Sequence, residues 1–292
     1  MTQINFKSIE KAIEYENLYN KTMELWPVGY KGYYVNTSYG KTWLHETGDD
    51  CKPPLLLLHG MSGSSTMWYP NAEYLSKHFR LITPDIIGQA GKSFLEKPLI
   101  SPVDLEKWLD EVIDNLGIKQ LYLGGLSFGG WLATRYTIFA PQRVKKLIML
   151  DPAATLLPMK PEFFFRMFAA ILIPVSSTGE SFKKWLTQGY EMNPDFLRQM
   201  EVGMMDYKPM KGQKMIIAKA IPDGDLRKIE IPVMVLIGDR SVIYDPNKAL
   251  NRAKVLFPCV KAELVQNCSH SINMEQAELT NDMITNFLNG TI

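Results

Sequence analysis

Short, largely unbroken apolar runs punctuate the chain at wide intervals: Leu55–Leu58, Leu81–Thr83, Leu121–Leu123, Leu147–Leu150, Val233–Ile237 and Ala262–Val265. Strands apolar on both faces belong inside a parallel sheet covered by helices. Stretches with helical spacing separate these runs. Ser101-Pro-Val-Asp104 offers a cap serine, a proline at the first helical position and an acid in the first turn. The helix that follows places Leu105, Trp108, Leu109, Val112, Ile113 and Leu116 on one face and stops at Gly117. Repetition of this strand–helix–strand unit predicts an α/β fold, a doubly wound, mostly parallel sheet.

Two segments depart from that rhythm. Residues 6 to about 25 carry an amphipathic helical pattern, and Tyr30–Glu46 reads as a strand pair turning at Tyr39-Gly40-Lys41, where glycine allows a positive φ. We take residues 1–49 as a leader that joins the core. Residues 155–221 contain no strand-like run. They are rich in methionine and phenylalanine, and Pro158, Pro161, Pro174, Pro194 and Pro209 divide them into short helices. This segment reads as an inserted helical lid over the strand ends, leaving 50–154 and 222–292 as the α/β core.

Composition narrows the class. The 292 residues are 46% hydrophobic, sufficient for a sizeable core, which excludes a disordered scaffold. With 32 basic and 31 acidic residues the net charge is +1, which supplies no field for nucleic acid. Cys51, Cys259 and Cys268 are too few for a disulfide framework and wrongly spaced for a metal finger, so they read as reduced thiols of a cytoplasmic protein. The charged amino-terminal stretch is unlike a signal peptide. The most apolar stretch, Phe163–Val175, is interrupted by Arg166 and Pro174 and falls short of the roughly 20 residues of a spanning helix. No membrane insertion is expected.

Directly after the Leu121–Leu123 run stands Gly124-Gly125-Leu126-Ser127-Phe128-Gly129-Gly130, followed at once by a helical stretch from Trp131. This is G-x-S-x-G between a strand and a helix, a sharp turn that lifts a serine hydroxyl out of the sheet while the glycines permit backbone crowding. The free amides of the helix amino terminus favour negative charge beside it.

At this point the chain resembles the α/β-hydrolase family, from about Pro54 to the carboxyl terminus. The resemblance rests on Leu55–Leu58 followed by His59-Gly60-Met61, on Asp85-Ile-Ile-Gly88-Gln-Ala-Gly91-Lys-Ser93, on the elbow at Ser127 and on Ser269-His270 after the last strand, in the family's order. It implies Ser127 as nucleophile and His270 as the base that takes its proton. His45 lies in the leader hairpin, His59 in the His-Gly turn, and His78 at the end of a surface helix. It also implies an oxyanion hole from the backbone amides of Met61 and Phe128.

The acid is less legible. The family's usual position falls on Ser241, which cannot neutralise an imidazolium. Asp151, directly after the Leu147–Leu150 run, is the favoured substitute, at the location some branches use. Asp239 lies two residues early, and Asp245, before Pro246, has the form of a helix cap. Asp85 and Gly88 read as structural, as do Trp68, Trp108, Trp131 and Trp185.

The leading function is a cofactor- and metal-independent serine hydrolase that cleaves carboxylic esters through an acyl-enzyme on Ser127. Phe163, Phe164, Phe165, Met167, Phe168, Met204 and Met205 suggest an apolar, aromatic or medium-chain substrate, or form the lid's own core. Carbon–carbon bond hydrolysis, lactone opening and perhydrolysis use the same residues and stay open. Ser241 supports a third reading, a non-catalytic ligand receptor or signalling partner.

Overall fold

The computed structural model describes residues 5–172 and 176–290. Helix α1 (Ile9–Met23) is capped by Ser8 and buries Ala12, Tyr15, Tyr19 and Met23, the stripe expected of an amphipathic helix. Strands β1 (Lys31–Thr37) and β2 (Gly40–Thr47) form the anticipated hairpin. Thr37 pairs with Gly40, so the turn centres on Ser38 and Tyr39, and Gly40 opens the second strand at φ +135°. A side chain at Gly40 would strike the backbone of Phe94. The chain continues through β3 (Pro54–Leu58), α2 (Tyr69–Ser76), β4 (Arg80–Pro84), the short β5 (Phe94–Leu95) and α3 (Pro102–Asn115). Helix α3 begins as its sequence dictates, with Asp104 Oδ2 accepting from the amides of Ile100 (2.9 Å) and Ser101 (2.8 Å).

The second half contains β6 (Leu121–Leu126), α4 (Phe128–Phe139), β7 (Val144–Leu150), then α5 (Pro161–Leu172), α6 (Ser176–Thr187) and α7 (Pro194–Asp206). Helix α8 (Asp223–Leu226), β8 (Val233–Gly238), α9 (Pro246–Leu256), β9 (Val260–Val265), α10 (Ile272–Glu275) and α11 (Ala277–Leu288) complete it. Among the described residues nine strands form one sheet, in the order β1-β2-β4-β3-β6-β7-β8-β9, with β5 beside β2. Pairing is parallel from β4 across to β9 and antiparallel at β1, β2 and β5. Strand β5 carries no apolar run and was not anticipated; it exists because β2 offers it an edge.

Leu55–Leu58 are fully buried, as are Val233–Ile237, which is why these strands read as continuous apolar runs. Trp68, Trp108 and Trp131 lie in the core, and Trp185 packs on the cluster of Met167, Ala170 and Phe182 between α5 and α6. Helices α5 and α7 start at Pro161 and Pro194; Pro174 lies outside the described residues. Helix α1 packs against α7, joined by ion pairs Lys21–Asp195 (2.8 Å) and Arg198–Glu14 (2.5 Å) and by the Phe6–Tyr207 bridge. No helix among the described residues is long and apolar enough to cross a membrane.

A buried polar cluster fixes the chain after β4. Asp85 accepts from the Ser65 amide (2.7 Å) and hydroxyl (2.6 Å), the Tyr19 hydroxyl (3.0 Å) and the Lys92 amide (2.7 Å). Four donors satisfy a carboxylate that has no solvent exposure. The structural role expected of Asp85 is thus carried by these bonds. His45 sits on the cluster's edge. The Trp43 indole only donates, so His45 Nε2 accepts from it (3.1 Å) and Nδ1–H faces the Ser65 hydroxyl (2.8 Å). Burial pulls the His45 pKa down to about 4, against the opposing pull of Asp85.

A histidine in the unfolded chain titrates near ~6.5, so between that pH and about 4 the unfolded state holds the extra proton. The stability due to neutral His45 is complete above that window and is lost as pH falls through it, by at most about 3 kcal/mol. Urea unfolding at about pH 7, 5.5 and 4.5 measures the slope. His45→Gln should flatten it; an unchanged slope would assign the acid loss to other groups.

Candidate active site

The carboxyl ends of β3, β6, β7 and β9 meet at one end of the sheet and carry the candidate residues. At the end of β6 the backbone of Ser127 is forced to φ +53°, a left-handed conformation that costs a non-glycine residue on the order of 1–3 kcal/mol. Gly125 lies against the backbone of Gly129, and Gly129 lies against the carbonyls of Leu58 and His59, so a side chain at either position collides with main chain. The bend is held by Ser127 N–H donating to Leu150 O (3.0 Å) and by Ser127 O accepting from Trp131 (3.0 Å) and Ala153 (3.1 Å). Phe128 opens α4, so its amide has no acceptor one turn back within the helix.

Asp151 follows β7, at φ +39°, with its amide donating to Leu236 O (2.7 Å). His270 arrives on the loop after β9, and its Nδ1 lies 3.1 Å from Asp151 Oδ2. Both are buried, with the Asp151 side chain fully enclosed. The other carboxylate oxygen, Oδ1, accepts from the Tyr244 hydroxyl. Burial beside that carboxylate holds Tyr244 well above the usual tyrosine range, so it remains a donor. The remaining acids are engaged elsewhere. Asp239 Oδ1 accepts from the Cys268 amide (3.0 Å), and Asp245 caps α9 through the Lys248 amide (3.1 Å). Ser241 is buried, and its hydroxyl has no partner among the described residues.

His59 is a brace for the loop that bears Met61. Its Nε2 accepts from the Ile86 amide (2.8 Å), which leaves the proton on Nδ1, donated to Gly60 O (2.8 Å). Burial holds its pKa below the ordinary histidine value. Gly60 faces Ser127: a Cβ at Gly60 would stand 3.5 Å from Ser127 Cβ. His78 is exposed just beyond α2.

Ser127, His270 and Met61 line one cavity of ≈ 110 Å³, walled mainly by Met67, Phe163, Leu186, Phe196, Met200 and Met274. No hydrogen bond joins Ser127 Oγ to the His270 ring in this structure, although both side chains line the same cavity. Of the aromatic and methionine residues expected over the site, Phe163, Met167, Met204 and Met205 line this cavity or its neighbour. Phe164 packs inside the helices, whereas Phe165 (76%) and Phe168 (40%) are exposed and line neither of these two cavities.

Sequence reasoning missed Tyr244 and Glu275. Glu275 accepts from the Ser269 amide (2.8 Å) and hydroxyl and from the Ser271 amide (3.3 Å), anchoring the His270 loop on both sides. No local pattern distinguishes Tyr244, whose contact spans 93 positions; Glu275 lies five residues past His270, at no capping-box spacing. Among the described residues no group of three or more His, Cys, Asp or Glu side chains is arranged to hold a metal.

Residues 53–277 match the family model for the alpha/beta hydrolase fold. The chain belongs to the α/β-hydrolase family. This hydrolase is 35% identical to the uncharacterized carboxylesterase nap of Bacillus subtilis, over 96% of this chain and 94% of that protein. It is 32% identical to the carboxylesterase YbfK of the same organism, over 99% and 98%. The crystal structure of the naproxen esterase of B. subtilis superposes with a TM-score of 0.91 at 34% identity, covering 97% of this chain and 99% of that one.

The strain at Ser127 is measurable in this hydrolase. Ser127→Gly should be more stable than Ser127→Ala by about 1 kcal/mol, because glycine relieves the positive φ while gaining unfolded-state entropy that offsets part of the relief. Equal urea midpoints for the two variants would show an unstrained elbow.

Proposed function

We propose that the chain is a carboxylic-ester hydrolase in which Ser127 attacks the carbonyl carbon and passes its proton to His270 Nε2. Asp151 fixes the histidine tautomer through Nδ1 and stabilises the imidazolium. The amides of Met61 and Phe128 hold the oxyanion. The imidazolium returns its proton to the leaving alkoxide as the acyl-enzyme forms; water, deprotonated by His270, then attacks the acyl carbon and releases the acid and Ser127. What carries the reading is the 3.1 Å contact of His270 with Asp151 on the cavity that Ser127 also lines. The two carboxylesterase relatives of nearly full length support the reaction class.

The non-catalytic reading rested on the serine at 241, and an acid bonded to His270 removes that support. Residues 155–221, which contain α5, α6 and α7, belong to this reading as the lid that keeps the site apolar, with the leader helix α1 packed on α7. The substrate is a small apolar ester. A cytoplasmic setting, as the thiols of Cys51, Cys259 and Cys268 suggest, completes the reading.

A fluorophosphonate should label the protein once, and Ser127→Ala should abolish the labelling; an unlabelled wild type would sink the proposal. Asp151→Asn should keep the fold and lose about 10⁴ in kcat, whereas Asp239→Asn and Asp245→Asn should lose no more than a few-fold. Tyr244→Phe leaves Asp151 Oδ1 without its donor and the carboxylate freer to turn away from His270, so kcat should fall about tenfold while the melting transition stays near that of the wild type. An unchanged kcat would reduce Tyr244 to packing.

A further inference from the structure

The Met61 amide can hold an oxyanion only if the peptide that carries it is held still, and the residue before it is a glycine. Glycine has the freest torsions of any residue. The two peptide planes that meet at Gly60 must therefore be fixed by bonds from outside. On the downstream side, Gly60 O accepts from His59 Nδ1 (2.8 Å) and from the Gly63 amide (3.1 Å). The Gly60–Met61 peptide is trans and planar, so holding that oxygen aims the Met61 N–H the opposite way. That N–H donates to nothing among the described residues, which leaves it available to a ligand oxygen.

On the upstream side the Gly60 N–H donates to a sulfur atom, Met67 Sδ, at 3.3 Å. Among unbranched apolar side chains only methionine carries an acceptor. Met67 is buried in a single 3₁₀ turn, Ser65–Trp68, whose first residue is bonded to Asp85, and its own amide donates to Ser64 O (3.1 Å). Its carbonyl accepts from Asn273 Nδ2 (3.0 Å). Asn273 stands three residues past His270, and Asn71 Nδ2 donates to Asn273 O (3.1 Å). Neither asparagine has any solvent exposure. One residue thus touches the loop of the oxyanion donor with its side chain and the loop of the base with its backbone. Gly60, Met61, Met67, Ser127 and His270 all line the same cavity.

We infer that Met67 is a positioning residue for the oxyanion hole. Its thioether fixes the Gly60 amide and with it the direction of the Met61 N–H, while Asn273 keeps this anchor in register with His270. A residue present only to fill space needs volume and no acceptor. The two roles part company on the sulfur. Leucine conserves the apolar volume but leaves the Gly60 N–H buried and unpaired, a cost the flexible glycine relieves by turning. Glutamine has nearly the reach of methionine and presents an oxygen acceptor. The inference rests on the esterase reading above, and its test separates the two.

Hydrolysis of p-nitrophenyl butyrate by the wild type, Met67→Leu, Met67→Ile and Met67→Gln gives kcat and KM, with a melting transition for each. The anionic oxygen forms only once the acyl carbon is attacked, in acylation and deacylation alike, so what the hole contributes appears in kcat. Met67→Leu and Met67→Ile should lose about tenfold in kcat, part of the ~10²–10³ that removing a whole oxyanion donor costs, with KM within about twofold. Met67→Gln should return kcat to within about threefold of the wild type. A linear trifluoromethyl ketone supplies a second readout. Ser127 Oγ adds to its carbonyl carbon, the serine proton passes to His270 and the ketone oxygen is left anionic in the hole. Its inhibition constant should rise in Met67→Leu by the factor that kcat/KM falls. An unchanged kcat in a folded Leu or Ile variant, a loss confined to KM, a Gln variant no better than the Leu variant, or unfolding of both aliphatic variants returns Met67 to packing and leaves the esterase standing. A wild type inert to ester and ketone alike removes both.

Discussion

Where β6 passes into α4, the main chain of Gly125 lies against that of Gly129, and Gly129 lies against the carbonyls of Leu58 and His59. There is no volume for a side chain at either glycine, and Ser127 between them takes a left-handed φ of 53°. Ser127 stands at the end of the sheet, the amide of Phe128 opens α4 directly after it, and the loop from β3 is brought close enough for Gly60 to face it. Strain of this kind persists only because the surrounding sheet over-determines the backbone. The bonds to Leu150 and Ala153 and the fully buried strands on either side supply that constraint.

The carboxylate beside His270 arrives by a different route. Asp151 is also left-handed, at the end of the neighbouring strand, and it divides its two oxygens between His270 and Tyr244. A buried carboxylate is tolerable only when both oxygens are satisfied. Tyr244 and His270 together meet that requirement, so the geometry that holds the acid also orients the ring. The His270 loop is fixed in turn by Glu275. His59 and Asp85, although polar and buried, spend all their bonds on backbone and neighbouring side chains, which makes them scaffold for the loops on which the site depends.

Side chains of α5, α6 and α7 wall the cavity that Ser127 and His270 line. Met167 of α5 and Met204 of α7 also line a larger cavity beside it, and their unbranched side chains make the shared wall deformable. The leader helix α1, distant in sequence, packs on α7. Exposed ion pairs such as Lys21–Asp195 add little energy to this contact, and the buried Tyr15, which meets Gln199 and Gly203 of α7, carries more of it.

The parallel strands, the start of α3, the elbow at Ser127 and the cap at Asp245 were legible because each is set by neighbours a few residues away: apolar runs, a proline and an acid at a helix start, glycines at a bend. The choice among Asp151, Asp239 and Asp245 was not legible, since all three are aspartates near strand ends and only the fold brings one to His270 across 119 positions. The pairing of Tyr244 with Asp151 and of strand β5 with β2 lay beyond local pattern for the same reason. Phe165 and Phe168 show the converse limit, because a run of aromatic residues says that a helix has an apolar face without saying which members reach a pocket. Local sterics and hydrogen-bonding chemistry are written residue by residue along the chain. Which distant groups share one dry volume is decided only when the strands pack and the burial is complete.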